Sequence, residues 1–184
     1  MNLYFFLAVI TLLCFGVQWT PLHDLFIWTR ADIEHGQWWR ILTGNLTHTN
    51  SAHLAMNIAG LWVVSWLFQP TVRVVASVLL LSSAVIGVAL LATDLDYYLG
   101  LSGALHGLFA YCALHEWQNG RKSSAWLVLG IIAKVVWEQS MGASATTEAL
   151  IGDSVAISAH LAGMLGGFSA ALWQNKLKNP FLPK

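Results

Sequence analysis

Charge is the scarcest commodity in this chain. Lys, Arg, Asp and Glu together make up 10% of its 184 residues, against about 25% in a typical soluble domain. That shortage excludes an ordinary water-soluble globule. Hydrophobic residues reach 57%, the mean hydropathy is +0.61, and the apolar residues fall in long runs, as helical membrane spans require. No basic cluster stands anywhere, and nine basic residues balance nine acidic ones, which excludes nucleic acid as a partner. The two cysteines, Cys14 and Cys112, lie inside apolar segments. They form no disulfide framework and read as small packing residues. The first apolar segment lacks a basic leading region and a small-x-small cleavage site, so it reads as a retained span rather than a signal peptide. Linkers, low-complexity tracts and internal repeats are missing as well. The expectation is one domain over residues 1–184, an all-α membrane protein.

What is present is six apolar stretches: about Leu3–Val17, Ala52–Phe68, Val72–Ala92, Ser102–Trp117, Ser124–Met141 and Val155–Trp173. Charge placement orients them. Arg73 follows the second stretch, Arg121 and Lys122 follow the fourth, and Lys176, Lys178 and Lys184 form the tail. The later alternate loops carry Asp94, Asp96, Glu148 and Asp153 and no lysine or arginine, and the first external loop, from about Trp19 to Asn50, is mixed in charge. Basic residues mark the cytoplasmic side, so both termini are expected there. The long first external loop carries Trp19, Trp28, Trp38 and Trp39, rings that favour the membrane–water interface.

The fourth stretch opens on Gly100-Leu101-Ser102-Gly103-Ala104-Leu105-His106-Gly107. Glycine permits a tight turn and the close approach of another helix. A serine at a helix start has unpaired backbone N–H groups and the positive dipole end beside it, which suits a nucleophile whose substrate develops an oxyanion. Helix packing through small residues is the competing reading. The stretch is short: about 24 Å of rise against a hydrocarbon core of about 30 Å. With Arg121 and Lys122 at the cytoplasmic interface, Ser102 lies below the external surface. Residues 94–101 then enter the membrane as non-helical backbone, tolerated where protein buries it or water fills a cavity.

Four histidines, His48, His53, His106 and His160, occupy the external half, where ionisable groups are costly. His160 lies about 7 Å into the sixth stretch, counted from Val155, with Gly163 and Gly167 on the same face. Packing of that face on the fourth stretch would bring the imidazole to the Ser102 hydroxyl as a general base. A histidine serving as interhelical glue is the plainer alternative. No carboxylate is placed to orient the imidazole, so the expected unit is a dyad rather than a triad. His53 and Asn57 share a face with Gly60 and could donate to an oxyanion with the Ser102 N–H, or simply bond between helices. His48 ties loop to helix. Lys134 and Glu138 stand four apart in the fifth stretch. They are read either as a mutually neutralising pair that fixes packing or as a recognition element in which the lysine meets a substrate carbonyl.

The combination His53-x-x-x-Asn57, Gly100-x-Ser102-Gly103 and Ala159-His160-x-x-Gly163-x-x-x-Gly167, in that order on stretches two, four and six, resembles the rhomboid intramembrane serine proteases. Trp39-Arg40 is similar to the Trp-Arg pair of the rhomboid first loop. The resemblance implies a rhomboid-like six-transmembrane-helix bundle, Ser102 as nucleophile and His160 as base. It also implies an oxyanion hole of His53, Asn57 and the Ser102 N–H. Rhomboids usually carry tyrosine four residues after the serine; this chain has His106, on the face of Ser102, where it could pack on His160, donate to substrate or compete as the base, and it is given a supporting role. That string and the segment Lys134-Val135-Val136-Trp137-Glu138-Gln139 resemble the rhombosortase branch. Its implied substrates are membrane-anchored secreted proteins whose C-terminal tails combine Gly-Gly, a hydrophobic span and a basic end. The implied location is the bacterial inner membrane, with the site opening to the periplasm.

A non-catalytic rhomboid-like binder of transmembrane segments is the alternative, disfavoured because serine and histidine are both present. A transporter would show inverted-repeat symmetry and paired broken helices. No cofactor or metal is called for: His115-Glu116-Trp117-Gln118-Asn119 lacks the second histidine of a zinc-peptidase ligand set.

Overall fold

The structure is a computed structural model that describes residues 2–178; Lys184 of the basic tail lies outside the described residues. In chain order the elements are α1 (Leu3–Gln18), α2 (Leu22–Phe26), β1 (Trp28–Thr29), α3 (Arg30–Glu34), α4 (Arg40–Thr43), α5 (Ser51–Phe68), α6 (Val72–Ala89), β2 (Tyr97–Tyr98), α7 (Ser102–Gln118), α8 (Ser124–Met141), α9 (Ala145–Ile151) and α10 (Ile157–Lys178). Among the described residues six helices, α1, α5, α6, α7, α8 and α10, run 16 to 22 residues. They match the six apolar stretches closely. Three boundaries differ by more than one residue. The third stretch ends in a 3₁₀ turn over Leu90–Ala92, and the sixth helix starts at Ile157 rather than Val155 and continues to Lys178.

Local chemistry explains the helix ends. Asn50 and Thr71 cap α5 and α6 by accepting the N–H of His53 and Val74 with their side chains, satisfying donors that the first turn leaves free. α5 stops at Gln69 in left-handed conformation, directly before Pro70, which cannot continue a helix. Two segments, Ser51–Phe68 and Val72–Ala92, are long and apolar enough by length and composition to cross a bilayer.

α7 is the axis of the fold. It packs against α10, α6, α8 and α5, and most of its side chains are buried. Its contact with α10 is made by glycines. A methyl added at Gly103 would stand 2.9 Å from the Ala159 carbonyl oxygen, and one at Gly107 would stand 2.8 Å from that of Gly163. Methyls at Gly163 and Gly167 would run into the carbonyls of Gly103 and Gly107. Backbone meets backbone along this seam, so dispersion contacts are dense where side chains are absent.

The long first loop is folded rather than splayed. β1 and β2 pair antiparallel, Trp28 opposite Tyr98, which ties this loop to the segment ahead of α7. Arg30 donates from its guanidinium to the carbonyls of Leu91 at 2.8 Å, Leu90 at 3.2 Å and Leu95 at 3.1 Å, and to that of Thr93. It thereby serves acceptors that the end of α6 leaves open. Arg40 is buried, donating to the carbonyls of Asp24 at 2.9 Å and Ile27 at 2.6 Å and pairing with Asp32 at 3.2 Å. Trp19, Trp38 and Trp39 are exposed, but Trp28 is not. It is fully buried, and its indole N–H donates to the Gly87 carbonyl at 2.9 Å. A buried polar handle needs such a partner, and pairing at β1 puts it within reach.

Candidate active site

Ser102 is the first residue of α7, where the backbone N–H has no intrahelical acceptor. The turn into it needs Gly100, whose φ is +123°, a region closed to most side chains. Space demands glycine there as well: a methyl at 100 would lie 2.8 Å from Cε1 and Nε2 of the His53 ring. The preceding segment is held from two sides. The Gly100 N–H donates to the Gly44 carbonyl at 3.0 Å, and the Tyr98 hydroxyl donates to the Gly100 carbonyl at 2.5 Å. Tyr98 is buried, and burial raises its hydroxyl above the ordinary phenol range.

The α7–α10 seam brings His160 to Ser102. Ser102 Oγ lies 2.9 Å from His160 Nε2. Because α10 begins at Ile157, His160 is one helical turn from its start, shallower than a count from Val155 implies. It is buried, as are His53 and Asn57 on α5. His53 Nδ1 faces the Thr49 hydroxyl at 3.1 Å, and the Thr49 hydroxyl also reaches the Ile151 carbonyl at 2.7 Å. Asn57 Nδ2 has no hydrogen-bond partner among the described residues. Ser102, His160, His53 and Asn57 all line one cavity of about 920 Å³. Asp94, Asp96 and Asp153 line it too. A hydroxyl bonded to a buried imidazole, beside unspent N–H donors, can attack a carbonyl and hold the resulting charge.

The expectation that no carboxylate reaches the imidazole is overturned. Glu138 Oε2 lies 2.9 Å from His160 Nδ1. The two residues are 22 positions apart on different helices, so spacing along the chain offered no sign of the contact. A signal was nevertheless available: Lys134 and Glu138 share one face of α8 at i, i+4. The pair forms, with Lys134 Nζ 2.8 Å from Glu138 Oε1, yet it is more than a self-contained neutral pair. Lys134 Nζ also lies 2.6 Å from His106 Nε2 and 3.4 Å from His160 Nδ1.

His106 stacks on His160, ring centroids 4.0 Å apart and planes 15° from parallel. Its Nδ1 donates to the Ser102 carbonyl at 2.7 Å. With Lys134 on Nε2, both ring nitrogens are engaged away from the Ser102 hydroxyl. His48 is placed as a tie: its N–H donates to Gln18 Oε1 at 3.1 Å, and its carbonyl accepts from Gln18 and His23 at 3.0 Å each. Its ring stands edge-on to His53 at 5.1 Å. Thr49 and Arg30 escaped the sequence reading because each acts on backbone carbonyls brought close only by folding, and Tyr98 because its bond to the Gly100 carbonyl depends on the turn between them.

Residues 35–175 match the family model described as the Rhomboid domain. The chain is similar to the putative rhomboid protease YdcA of Bacillus subtilis (strain 168), 28% identical over 166 residues, covering 80% of this chain and 76% of that protein. It is also similar to the rhomboid protease GluP of Bacillus subtilis (strain 168), 26% identical over 163 residues, covering 88% of this chain but only 29% of GluP. With three quarters of its length inside that family match, on the residues that build the cavity around Ser102 and His160, the chain belongs to the rhomboid domain family.

Proposed function

We propose that this chain is an intramembrane serine endopeptidase that cuts membrane-anchored protein segments. The observation that carries the reading is the 2.9 Å contact of Ser102 Oγ with His160 Nε2 inside a large cavity. Membership of a family that includes named rhomboid proteases supports it. Ser102 attacks the scissile carbonyl as His160 takes its proton; the same proton then goes to the leaving amine, and water hydrolyses the acyl-enzyme. The Ser102 N–H, Asn57 and His53 receive the oxyanion. The unpartnered Asn57 amide supports that assignment, since a buried donor left without an acceptor in the resting protein is matched by the charge that forms in the reaction.

The six long helices are read as six spans with both termini cytoplasmic. Lys122 and Arg73 mark one end of the bundle, and the aspartates at the cavity mark the other. Large exposed apolar side chains on α1, α5, α6, α8 and α10, among them Leu12, Trp66, Leu80, Trp126 and Leu172, suit a lipid-facing surface. The cavity then opens on the external, in bacteria periplasmic, side of the inner membrane, where water is available.

For substrate, the reading follows the rhombosortase likeness: secreted proteins with a C-terminal Gly-Gly, hydrophobic and basic tail. The stacking of His106 on His160, where most rhomboids have tyrosine, is the feature of the site that goes with that branch. A Gly-Gly bond is physically apt, because glycine favours leaving the helix and exposing its carbonyl.

Co-expression with a secreted reporter bearing such a tail tests the reading. Loss of the tail with wild type, and its retention with Ser102→Ala and His160→Ala at equal membrane levels, is the expected result. Processing by Ser102→Ala above background would remove the nucleophile assignment. A reporter left intact by wild type, while a generic rhomboid substrate is cut, would remove the tail assignment alone.

A further inference from the structure

Ser102, His160, His53 and Asn57 account for attack and oxyanion, and they leave Glu138, Lys134 and His106 packed around the base without a task. We propose that Glu138 is a positioning residue for the reaction, holding His160 in the tautomer that can accept the serine proton and stabilising the imidazolium that forms. Lys134 is the built-in cation that keeps Glu138 ionised and aimed. The inference rests on the reading of Ser102 as nucleophile and His160 as base.

With His160 neutral, as a base must be, hydrogen placement in this cluster has one self-consistent solution. The Ser102 carbonyl can only accept, so the hydrogen of His106 is on Nδ1, 2.7 Å away. His106 Nε2 therefore accepts, and Lys134 Nζ donates to it at 2.6 Å. Lys134 gives a second hydrogen to Glu138 Oε1 at 2.8 Å. The other carboxylate oxygen, Oε2, accepts from His160 Nδ1 at 2.9 Å. With its hydrogen on Nδ1, His160 presents the Nε2 lone pair to the Ser102 hydroxyl, 2.9 Å away. The 3.4 Å approach of Lys134 to His160 Nδ1 is then a contact between two donors, not a bond. His106, Glu138 and His160 hold their ligand atoms within 4.8 Å of one another, a spacing that suits a cation. The Lys134 ammonium stands against all three, so the chain supplies that charge itself.

The step balances. As the Oγ–C bond forms, the hydroxyl proton passes to His160 Nε2, while the other hydrogen stays on Nδ1, donated to the Glu138 carboxylate. When the C–N bond breaks, the Nε2 proton leaves with the amine. In the well-studied serine triads, replacing the orienting carboxylate by its amide costs about 10⁴-fold in turnover, through the wrong tautomer. Here the amide would also turn one of its polar ends against a like partner: its NH₂ meets either His160 Nδ1–H or the Lys134 ammonium.

The test uses the full chain in detergent and a fluorophosphonate probe, which needs no knowledge of the substrate. Labelling rate is followed from about pH 5 to 9 beside the melting temperature. Titratable groups facing His160 are His106 from α7, Lys134 and Glu138 from α8 and His53 from α5; the two histidines stay unchanged in every variant, so shifts report the pair. Glu138→Gln is expected to slow labelling by about 100-fold or more, with its acid limb moved to lower pH because the imidazolium has lost its anion. Lys134→Met moves the limb the other way, because a cation that opposed the imidazolium is gone. Glu138→Asp restores part of the rate, which a packing role would not predict.

A Glu138→Gln rate within about threefold of wild type, with an unmoved acid limb, would overturn the inference. If Glu138→Gln fails to fold, the double variant Lys134→Met with Glu138→Gln leaves no unpaired charge, and a near wild-type rate there overturns it equally. Ser102→Ala separates the two levels. Labelling that persists in it defeats the nucleophile reading itself; labelling lost in it but intact in Glu138→Gln defeats only the role of Glu138.

Discussion

Asn57 keeps a buried amide nitrogen without a partner among the described residues, in a chain where most other buried polar groups are satisfied. Leaving a buried donor unpaired costs about 1–3 kcal/mol, a cost that a resting structure bears when the donor is meant for something that arrives later. Asn57→Ala should therefore lower kcat by about 10²–10³-fold while leaving KM nearly unchanged, and it should not lower the melting temperature, since no bond is lost in the resting fold. A melting temperature that fell in parallel with activity would make Asn57 a structural residue instead.

His48 shows the opposite case, a buried ring whose two nitrogens meet no partner among the described residues and whose site has no evident use for a charge. Burial, reinforced by His53 and then His23, pushes it down to about 3. An unfolded chain takes up this proton near pH 6.5 and the folded one only near 3. The unfolded state therefore binds more protons between those values, and stability falls as pH drops, by at most about 1.4 kcal/mol per unit. In thermal melts between about pH 7 and 5, His48→Phe should lose less melting temperature than wild type. Equal losses would mean that His48 carries none of the acid sensitivity.

At the scale of elements, the proposed chemistry depends on how closely α7 and α10 approach. Gly103 and Gly107 face Gly163 and Gly167 with backbone against backbone, and a helix interior cannot yield as a flexible side chain can. Gly167→Ala should separate the two helices, lowering stability by about 1–3 kcal/mol and opening the Ser102–His160 contact two turns away. Gly130 on α8 meets nothing within 4 Å, so Gly130→Ala should be neutral or raise stability by up to about 1 kcal/mol through helix propensity alone. Equal effects of the two substitutions, read by melting temperature and reporter cleavage, would show that glycine content and not the seam matters.

These long helices were legible in the chain because each is an apolar run, and α1, α5 and α6 add an Asn or Thr cap. The Ser102 end of α7 was legible for the same reason, since Gly100 must adopt a backbone that other residues refuse. Contacts between elements were not. Glu138 meets His160 only through the packing of α8 beside α10. Trp28 is drawn into the core by pairing with Tyr98 and by the Gly87 carbonyl, 59 residues on. Arg30 and Arg40 spend their charges on carbonyls that no local pattern marks. A polar side chain in an apolar chain says that it has a partner, and the fold alone says which.

Across the whole molecule, the proposed six-span arrangement turns on α7. Among the described residues, only α5 and the segment Val72–Ala92 are long and apolar enough to cross a membrane, whereas α7 is 17 residues, polar at both ends, and rises about 26 Å. Its solvent explains the difference. A helix ringed by α10, α6, α8 and α5 meets protein instead of lipid, so small residues and histidines serve it better than leucines. In that arrangement its shortness puts Ser102 below the membrane surface, with the β1–β2 tie supporting the non-helical backbone above it. The arrangement therefore requires residues 96 and 122, which flank α7, to lie on opposite sides of the membrane. The chain is ready for the measurement, because Cys14 and Cys112 are both buried and Asp96 and Lys122 are exposed. Asp96→Cys should react with a membrane-impermeant maleimide in intact spheroplasts, and Lys122→Cys only after the membrane is opened. Reaction of both from outside would place α7 on one side of the bilayer, and the cavity around Ser102 could then no longer be a site within it.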